Sequence, residues 1–140
     1  MIELYKGDCL EVMDELVKMG VKVDAIITDI PYGTTACSWD VVIPFDEMWN
    51  RIKKLTKPTS PILLFGNEPF TSMLRMSNVK DYKYDIYWQK EKPINPLQLK
   101  KKRFGKVVEN ICVFYKKQCT YNPQKLYIQV VTSQIFLNLS

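Results

Sequence analysis

The sequence contains no histidine, which removes a Ser-His-Asp triad, a histidine general base and the usual zinc hydrolase sites in one step. Glycine is scarce: the five residues stand at 7, 20, 33, 66 and 105, and no two are spaced as Gly-Xaa-Gly. The four cysteines, Cys9, Cys37, Cys112 and Cys119, include no pair with the spacing of a zinc knuckle, so reduced, unpaired thiols are expected. No stretch approaches the roughly 18 apolar residues that a membrane span needs. Met1 to Lys6 also lacks the apolar core of a signal peptide. The expectation is a soluble, cytoplasmic protein with no membrane partner.

What the 140 residues do contain is a sizeable core: 46% are apolar and 12% aromatic, which suits one domain and argues against disorder. Lys plus Arg number 20 against 15 Asp plus Glu, a net charge of +5 that fits a polyanionic partner.

The apolar spacing sets out the elements. Met1 to Lys6 reads as a short edge strand. Asp8 reads as a helix N-cap, with Glu11 three residues on, and Leu10, Met13, Leu16 and Val17 share one face of the helix that follows, which Gly20 stops. Val23 to Thr28 is a strand. Phe45, Met48, Ile52 and Leu55 give a second helix over residues 45 to 57, ended by Pro58. Pro61 to Gly66 is a second strand, and Glu68 to Ser77 a third helix with Pro69 in its first turn. Strands that are apolar without alternation are expected to be buried on both faces, as in parallel sheets covered by helices. Tyr82 to Lys90 and Val107 to Lys117 are β-rich and suit an antiparallel pair at one edge. The expected fold class is therefore α/β, with parallel strands flanked by helices and right-handed crossovers.

The loop between that pair, Glu91 to Lys106, is basic. Lys90, Lys92, Lys100, Lys101, Lys102, Arg103 and Lys106 face only Glu91, and on a loop this suits salt-sensitive phosphate contact, with Lys100, Lys101, Lys102 and Arg103 as the DNA-binding candidates. After Pro123 the character changes. Gln124 to Leu137 holds no acid, glycine or proline, and residues 125 to 140 read as an atypical tail.

The chemistry concentrates where the first central strand ends, at Asp29-Ile30-Pro31-Tyr32. In open parallel sheets, ligands sit beyond the carboxyl ends of the strands. An aromatic amine is a poor nucleophile because its lone pair is delocalised into the ring. Hydrogen bonds from its protons to the Asp29 carboxylate and the Ile30 carbonyl would favour a more tetrahedral, reactive nitrogen. Pro31 holds Ile30 extended, and the Tyr32 ring offers a stacking surface for an extruded base. Of the three tryptophans, Trp49 and Trp88 read as core, and Trp39 as a candidate for base stacking.

Several segments then carry a resemblance. Lys6-Gly7-Asp8-Cys9-Leu10-Glu11, Asp24 to Thr35, and Trp39-Asp40 resemble the amino end of a DNA amino-methyltransferase. More narrowly, they resemble the adenine-specific type with permuted motif order found in phages and restriction-modification systems. Leu64 to Phe70, Tyr84 to Lys90 and Glu109 to Tyr115 extend the similarity over residues 1 to 124. The resemblance implies a partial Rossmann-like, S-adenosylmethionine-dependent sheet acting on double-stranded DNA. It makes Asp29, Ile30, Pro31 and Tyr32 the catalytic element, with Ile30 standing where the family usually has proline. It gives Asp8, with Cys9 beside it and Asp29, to the methyl donor. An acid in first position resembles adenine enzymes, whereas serine there is more typical of N4-cytosine enzymes. No metal is implied, since methyl transfer from a sulfonium needs none.

One family element has no counterpart here. A Phe-Xaa-Gly-Xaa-Gly turn, which holds the methionine end of the donor, should follow these segments in the permuted order, and the spacing of the five glycines excludes it. The expectation is a C-terminally truncated or frame-shifted enzyme, weak or inactive alone. The other readings are a DNA-binding remnant, half of a split enzyme completed by another polypeptide, and an N4-cytosine methyltransferase.

Overall fold

A computed structural model describes residues 2–91 and 107–123. Lys100, Lys101, Lys102 and Arg103, and the tail from 125 to 140, lie outside the described residues. The order is α1 (Cys9–Lys18), β1 (Ile26–Asp29), α2 (Phe45–Leu55), β2 (Ile62–Gly66), α3 (Phe70–Ser77), β3 (Tyr82–Gln89) and β4 (Val108–Phe114).

Each helix begins and ends for a local reason. The Asp8 carboxylate accepts from the amides of Leu10 and Glu11, which caps α1, and Gly20 at φ +74° follows its last turn. Helix α2 has Asp46 and Glu47 in its first turn and Lys53 and Lys54 in its last, matching the helix dipole at both ends. It buries Met48, Trp49, Ile52 and Leu55, which fall on one stripe. Gly66 is glycine because α3 turns back on it: a Cβ there would lie 2.6 Å from Cγ2 of Thr71.

The four described strands form one sheet in the order β1-β2-β4-β3. β1 and β2 are parallel, with Asp29 opposite Phe65, and β4 lies antiparallel to both β2 and β3. The predicted antiparallel pair is present, with β3 at the sheet edge and β4 inserted beside β2. The α/β class is as expected.

Helical cover is one-sided. Met48, Trp49 and Ile52 of α2, with Phe70 and Leu74 of α3, pack on Ile62, Leu64, Cys112 and Phe114 to make the core. Trp49 and Phe114 have ring centroids 4.8 Å apart. Helix α1 packs on α2 rather than on the sheet, and Asp14 and Arg51 join the two helices at 2.7 Å. Among the described residues no helix covers the opposite face, where Ile27 is 67% exposed, Tyr84 50% and Trp88 49%.

Two expectations therefore change. Burial on both faces was read from apolar strands without alternation, yet β2 alternates, with Ile62, Leu64 and Gly66 buried and Leu63 and Phe65 half-buried. An apolar run does not distinguish cover by a helix from partial cover by neighbours on the same face; Phe65 has the Trp88 ring edge-on at 6.1 Å. The strand expected from Met1 to Lys6 does not form among residues 2 to 6, where Ile2 and Leu4 are exposed. A lone extended segment gains little without a partner, and the far edge of β1 carries no described strand.

Because Leu64 is fully buried between β1, β4 and the helices, Leu64→Ala is expected to lower stability by about 2–5 kcal/mol. Chemical denaturation checks this; a loss below about 1 kcal/mol would contradict the placement of the core.

Candidate active site

β1 ends at Asp29 with a burial alternation that sets the direction of each side chain. Ile26 and Thr28 are half-buried and Ile30 is buried, whereas Ile27 and Asp29 are exposed. Asp29 thus leaves the sheet on the uncovered face, at the carboxyl end of the parallel strands. Ile30 is 8% exposed and belongs to the core cluster. Its side chain fastens the backbone between Asp29 and Pro31, a restraint that a proline at this position would provide through its ring.

Tyr32 follows as a half-buried ring. It packs on Phe70 with centroids 5.0 Å apart, Phe70 in turn meets Phe45 at 5.7 Å, and the Tyr32 hydroxyl donates to the Asp29 carboxylate. Burial first, then the bond to Asp29, pushes the phenol well above its ordinary pKa, so it stays protonated and donating at neutral pH. In this arrangement the hydroxyl occupies Oδ1 of Asp29, leaving Oδ2 as the further acceptor.

The loop beyond Tyr32 is shaped by Asp40. Its Oδ1 accepts from the amides of Tyr32 and Gly33, both at 2.9 Å, and its Oδ2 from those of Thr34 at 2.9 Å and Thr35 at 2.6 Å. Gly33 is required for this wrap because its φ of +69° suits glycine and a Cβ would press Val42 at 3.0 Å. Hydrogen bonds from Thr35, then from the amides of Gly33 and Thr34, hold the Asp40 carboxyl at about 2. Four aligned N–H dipoles make a compact anion nest, here filled by the protein's own side chain. Sequence reasoning assigned Asp40 no role of its own; its only signal was the short return from Gly33-Thr34-Thr35 to an acid.

A second carboxylate cluster sits at the end of β2. Glu68 accepts from the Ser72 hydroxyl at 2.6 Å and pairs with Arg75 at 2.9 Å, and these hold it at about 2. Arg75 reaches Asp85 at 2.5 Å, where Asn110 also donates at 3.1 Å. Burial opposes ionisation of Asp85, but Arg75 and Asn110 outweigh it and keep its carboxyl below the usual range.

The depressed Asp40 and Glu68 values fix a pH dependence. Both groups are ordinary carboxyls when unfolded, at 3.8 and 4.5, so their contribution is complete above that range and lost as pH falls towards about 2. Melting temperature is expected to fall steeply across this interval, and Asp40→Asn to flatten that fall. An unchanged slope in the variant would contradict it.

On the uncovered face beside Asp29, Phe65 meets Trp88, the Lys90 amine lies 5.0 Å from the Trp88 ring centroid, and Lys90 pairs with Glu109. Trp88 is therefore a half-exposed aromatic rather than the core residue expected, because among the described residues β3 is the edge strand and no helix covers that face. Trp49 is core as expected, its indole N–H donating to Ser77 at 2.8 Å. Trp39 is exposed in the loop.

Asp8 and Cys9 lie at the start of α1, both exposed. Partial desolvation, then the Asp8 charge, pushes the Cys9 thiol up from its ordinary value. α1 runs alongside α2 in the same direction: Asp14 meets Arg51, and further on the Lys22 amine meets the carbonyl of Lys54. Asp8 therefore stands at the same end of the fold as Phe45, which is also the end of Asp29 and Tyr32. No described contact joins Asp8 to Asp29 directly.

The fold is similar to that of the crystal structure of an M1.HpyAVI–SAM complex, with a TM-score of 0.67 and 24% identity over 90% of this chain. A crystal structure of M1.HpyAVI alone gives 0.66 and 23% over 91%. The fold is shared. This chain spans 59% and 64% of the respective M1.HpyAVI chains. No protein-family model matches the sequence, and no curated protein matches it.

Proposed function

We propose that this chain carries the catalytic element of an S-adenosylmethionine-dependent DNA amino-methyltransferase acting on N6 of adenine in double-stranded DNA. The observation that carries the reading is the exposed Asp29 carboxylate at the carboxyl end of β1, on a loop that Ile30 anchors from below and Asp40 clamps from beyond. Oδ2 of Asp29 and the Ile30 carbonyl accept the two amine protons. Tyr32 holds Oδ1 and presents its ring beside the extruded base. Alignment of that nitrogen against the sulfonium methyl supplies most of the remaining acceleration.

The donor reading rests on the likeness to a fold crystallised with SAM and on Asp8 at the same end of the molecule. Asp8 accepts two α1 amides through Oδ1, and its second oxygen suits a ribose hydroxyl. Cys9 lines the approach. Lys100 to Arg103 supply phosphate contacts.

Among the described residues no strand pairs with the outer edge of β1, which favours completion of the sheet by a further strand. A strand bearing the Phe-Xaa-Gly-Xaa-Gly turn, laid parallel to β1, would cover that edge and close the donor pocket. The test is transfer of labelled methyl from S-adenosylmethionine to unmethylated duplex DNA, with and without a polypeptide carrying that strand. Little incorporation by the chain alone and at least a ten-fold rise on addition are expected. Robust transfer by the chain alone would overturn the need for completion, and no transfer in either case would overturn the enzymatic reading in favour of DNA binding without catalysis.

A further inference from the structure

At the opposite end of the sheet lies a cavity of about 240 Å³ whose lining includes Lys53, Lys57, Lys80 and Lys116, with Tyr115 and a single carboxylate, Asp81. We propose that this cavity binds phosphate groups, independently of the site around Asp29. The two are distinct: Ile62, which lines the cavity, begins β2, and Phe65, opposite Asp29, lies three residues on, about 10 Å along the strand.

Three segments remote in sequence build the cavity: the last turn of α2 with the turn that follows it, the Lys80–Asp81 corner before β3, and the Tyr115–Lys116 exit from β4. Backbone hydrogen bonds lock them together, from Tyr115 to Asp81 at 2.9 Å, Lys117 to Pro58 at 2.8 Å and Ser60 to Lys57 at 3.0 Å. The lysines therefore converge because the fold holds their backbones.

Their charge is poorly compensated. Lys57 pairs with Asp24 at 2.5 Å, but among the described residues Lys53, Lys80 and Lys116 make no ion pair. The carbonyl end of α2 accounts for a lysine at 53. It does not account for Lys80 and Lys116, which come from other elements. Like charges around one concavity raise its potential and concentrate anions there. The volume equals roughly eight waters at about 30 Å³ each, enough for one or two phosphate groups but small for a whole nucleotide. The shared chemistry is a phosphate oxyanion, supplied by a free phosphorylated ligand or by a nucleic-acid backbone.

Calorimetric titration of the full chain with inorganic pyrophosphate at low salt tests this without any methyl transfer. Binding is expected, weakened at least ten-fold in Lys80→Glu/Lys116→Glu and two- to five-fold in Lys116→Gln, with circular dichroism confirming the fold of each. No binding, or equal loss in the remote pair Lys6→Glu/Lys18→Glu, would overturn the proposal. Duplex DNA in a parallel titration separates the sources. A backbone ligand predicts that the log–log salt slope falls by about 2 in Lys80→Glu/Lys116→Glu. An unchanged slope with lost pyrophosphate binding assigns the site to a free phosphorylated ligand.

Discussion

Replacing Asp29 with asparagine is expected to reduce methyl transfer about 10²–10³-fold, the usual cost of removing one preorganised polar group from a reacting centre. Asparagine keeps the shape of the side chain but puts an NH₂ where one carboxylate oxygen stood. If that donor faces the base, it opposes the amine protons; if it faces Tyr32, the hydroxyl that donates to Asp29 must reverse or break away. Either way the negative charge that would favour a tetrahedral nitrogen is gone. Because Asp29 is exposed and outside the core, stability and DNA affinity are expected to stay near those of the wild type. Assayed with the glycine-turn strand supplied, kcat should fall with little change in KM for DNA. A loss confined to KM would mean that Asp29 serves binding, and retained kcat would remove it from the chemistry.

Asp40→Ala is expected to have the second large effect, through position alone. Four amides, those of Tyr32, Gly33, Thr34 and Thr35, converge on its carboxylate, and alanine leaves all of them seeking water. The loop would then lose the wrap that starts from Tyr32, while Ile30 still anchors its near end in the core. Methyl transfer should fall at least ten-fold. Amide exchange at residues 32 to 35 should accelerate, with no matching change in the β2 and β4 amides. Asp40→Asn, which retains one acceptor oxygen, should recover part of the loss. Exchange that rises equally across the sheet would instead show that Asp40 supports the whole fold.

Much of this arrangement was legible in the residues, for identifiable reasons. The α2 stripe of Phe45, Met48, Ile52 and Leu55 and the Asp8 cap are local patterns, and both elements appear where those patterns place them. The antiparallel pairing of β3 and β4 followed from their aromatic and β-branched content. Which face of the sheet the helices cover was not legible. Leu63 and Phe65 are as apolar as Ile62 and Leu64, and only tertiary placement separates the half-buried pair from the buried one. Trp88 departs from its core reading for the same reason, since among the described residues no helix lies above this edge strand and the large aromatic stays half exposed. At the site, Asp29 and Tyr32 were visible as a motif. The Asp40 clamp was not, because backbone amides leave no trace in side-chain identity. Nor was the burial of Ile30, which turns an apparent departure from Asp-Pro-Pro-Tyr into an anchor.

The proposed grip of Asp29 and its neighbouring carbonyl on an adenine amine is tested most directly by the product nucleoside. Duplex DNA treated with S-adenosylmethionine, this chain and the strand that completes it should, after digestion and mass spectrometry, contain N6-methyladenine, and the same reaction with Asp29→Asn should yield almost none. N4-methylcytosine as the product, or N6-methyladenine formed equally well by the variant, would contradict it.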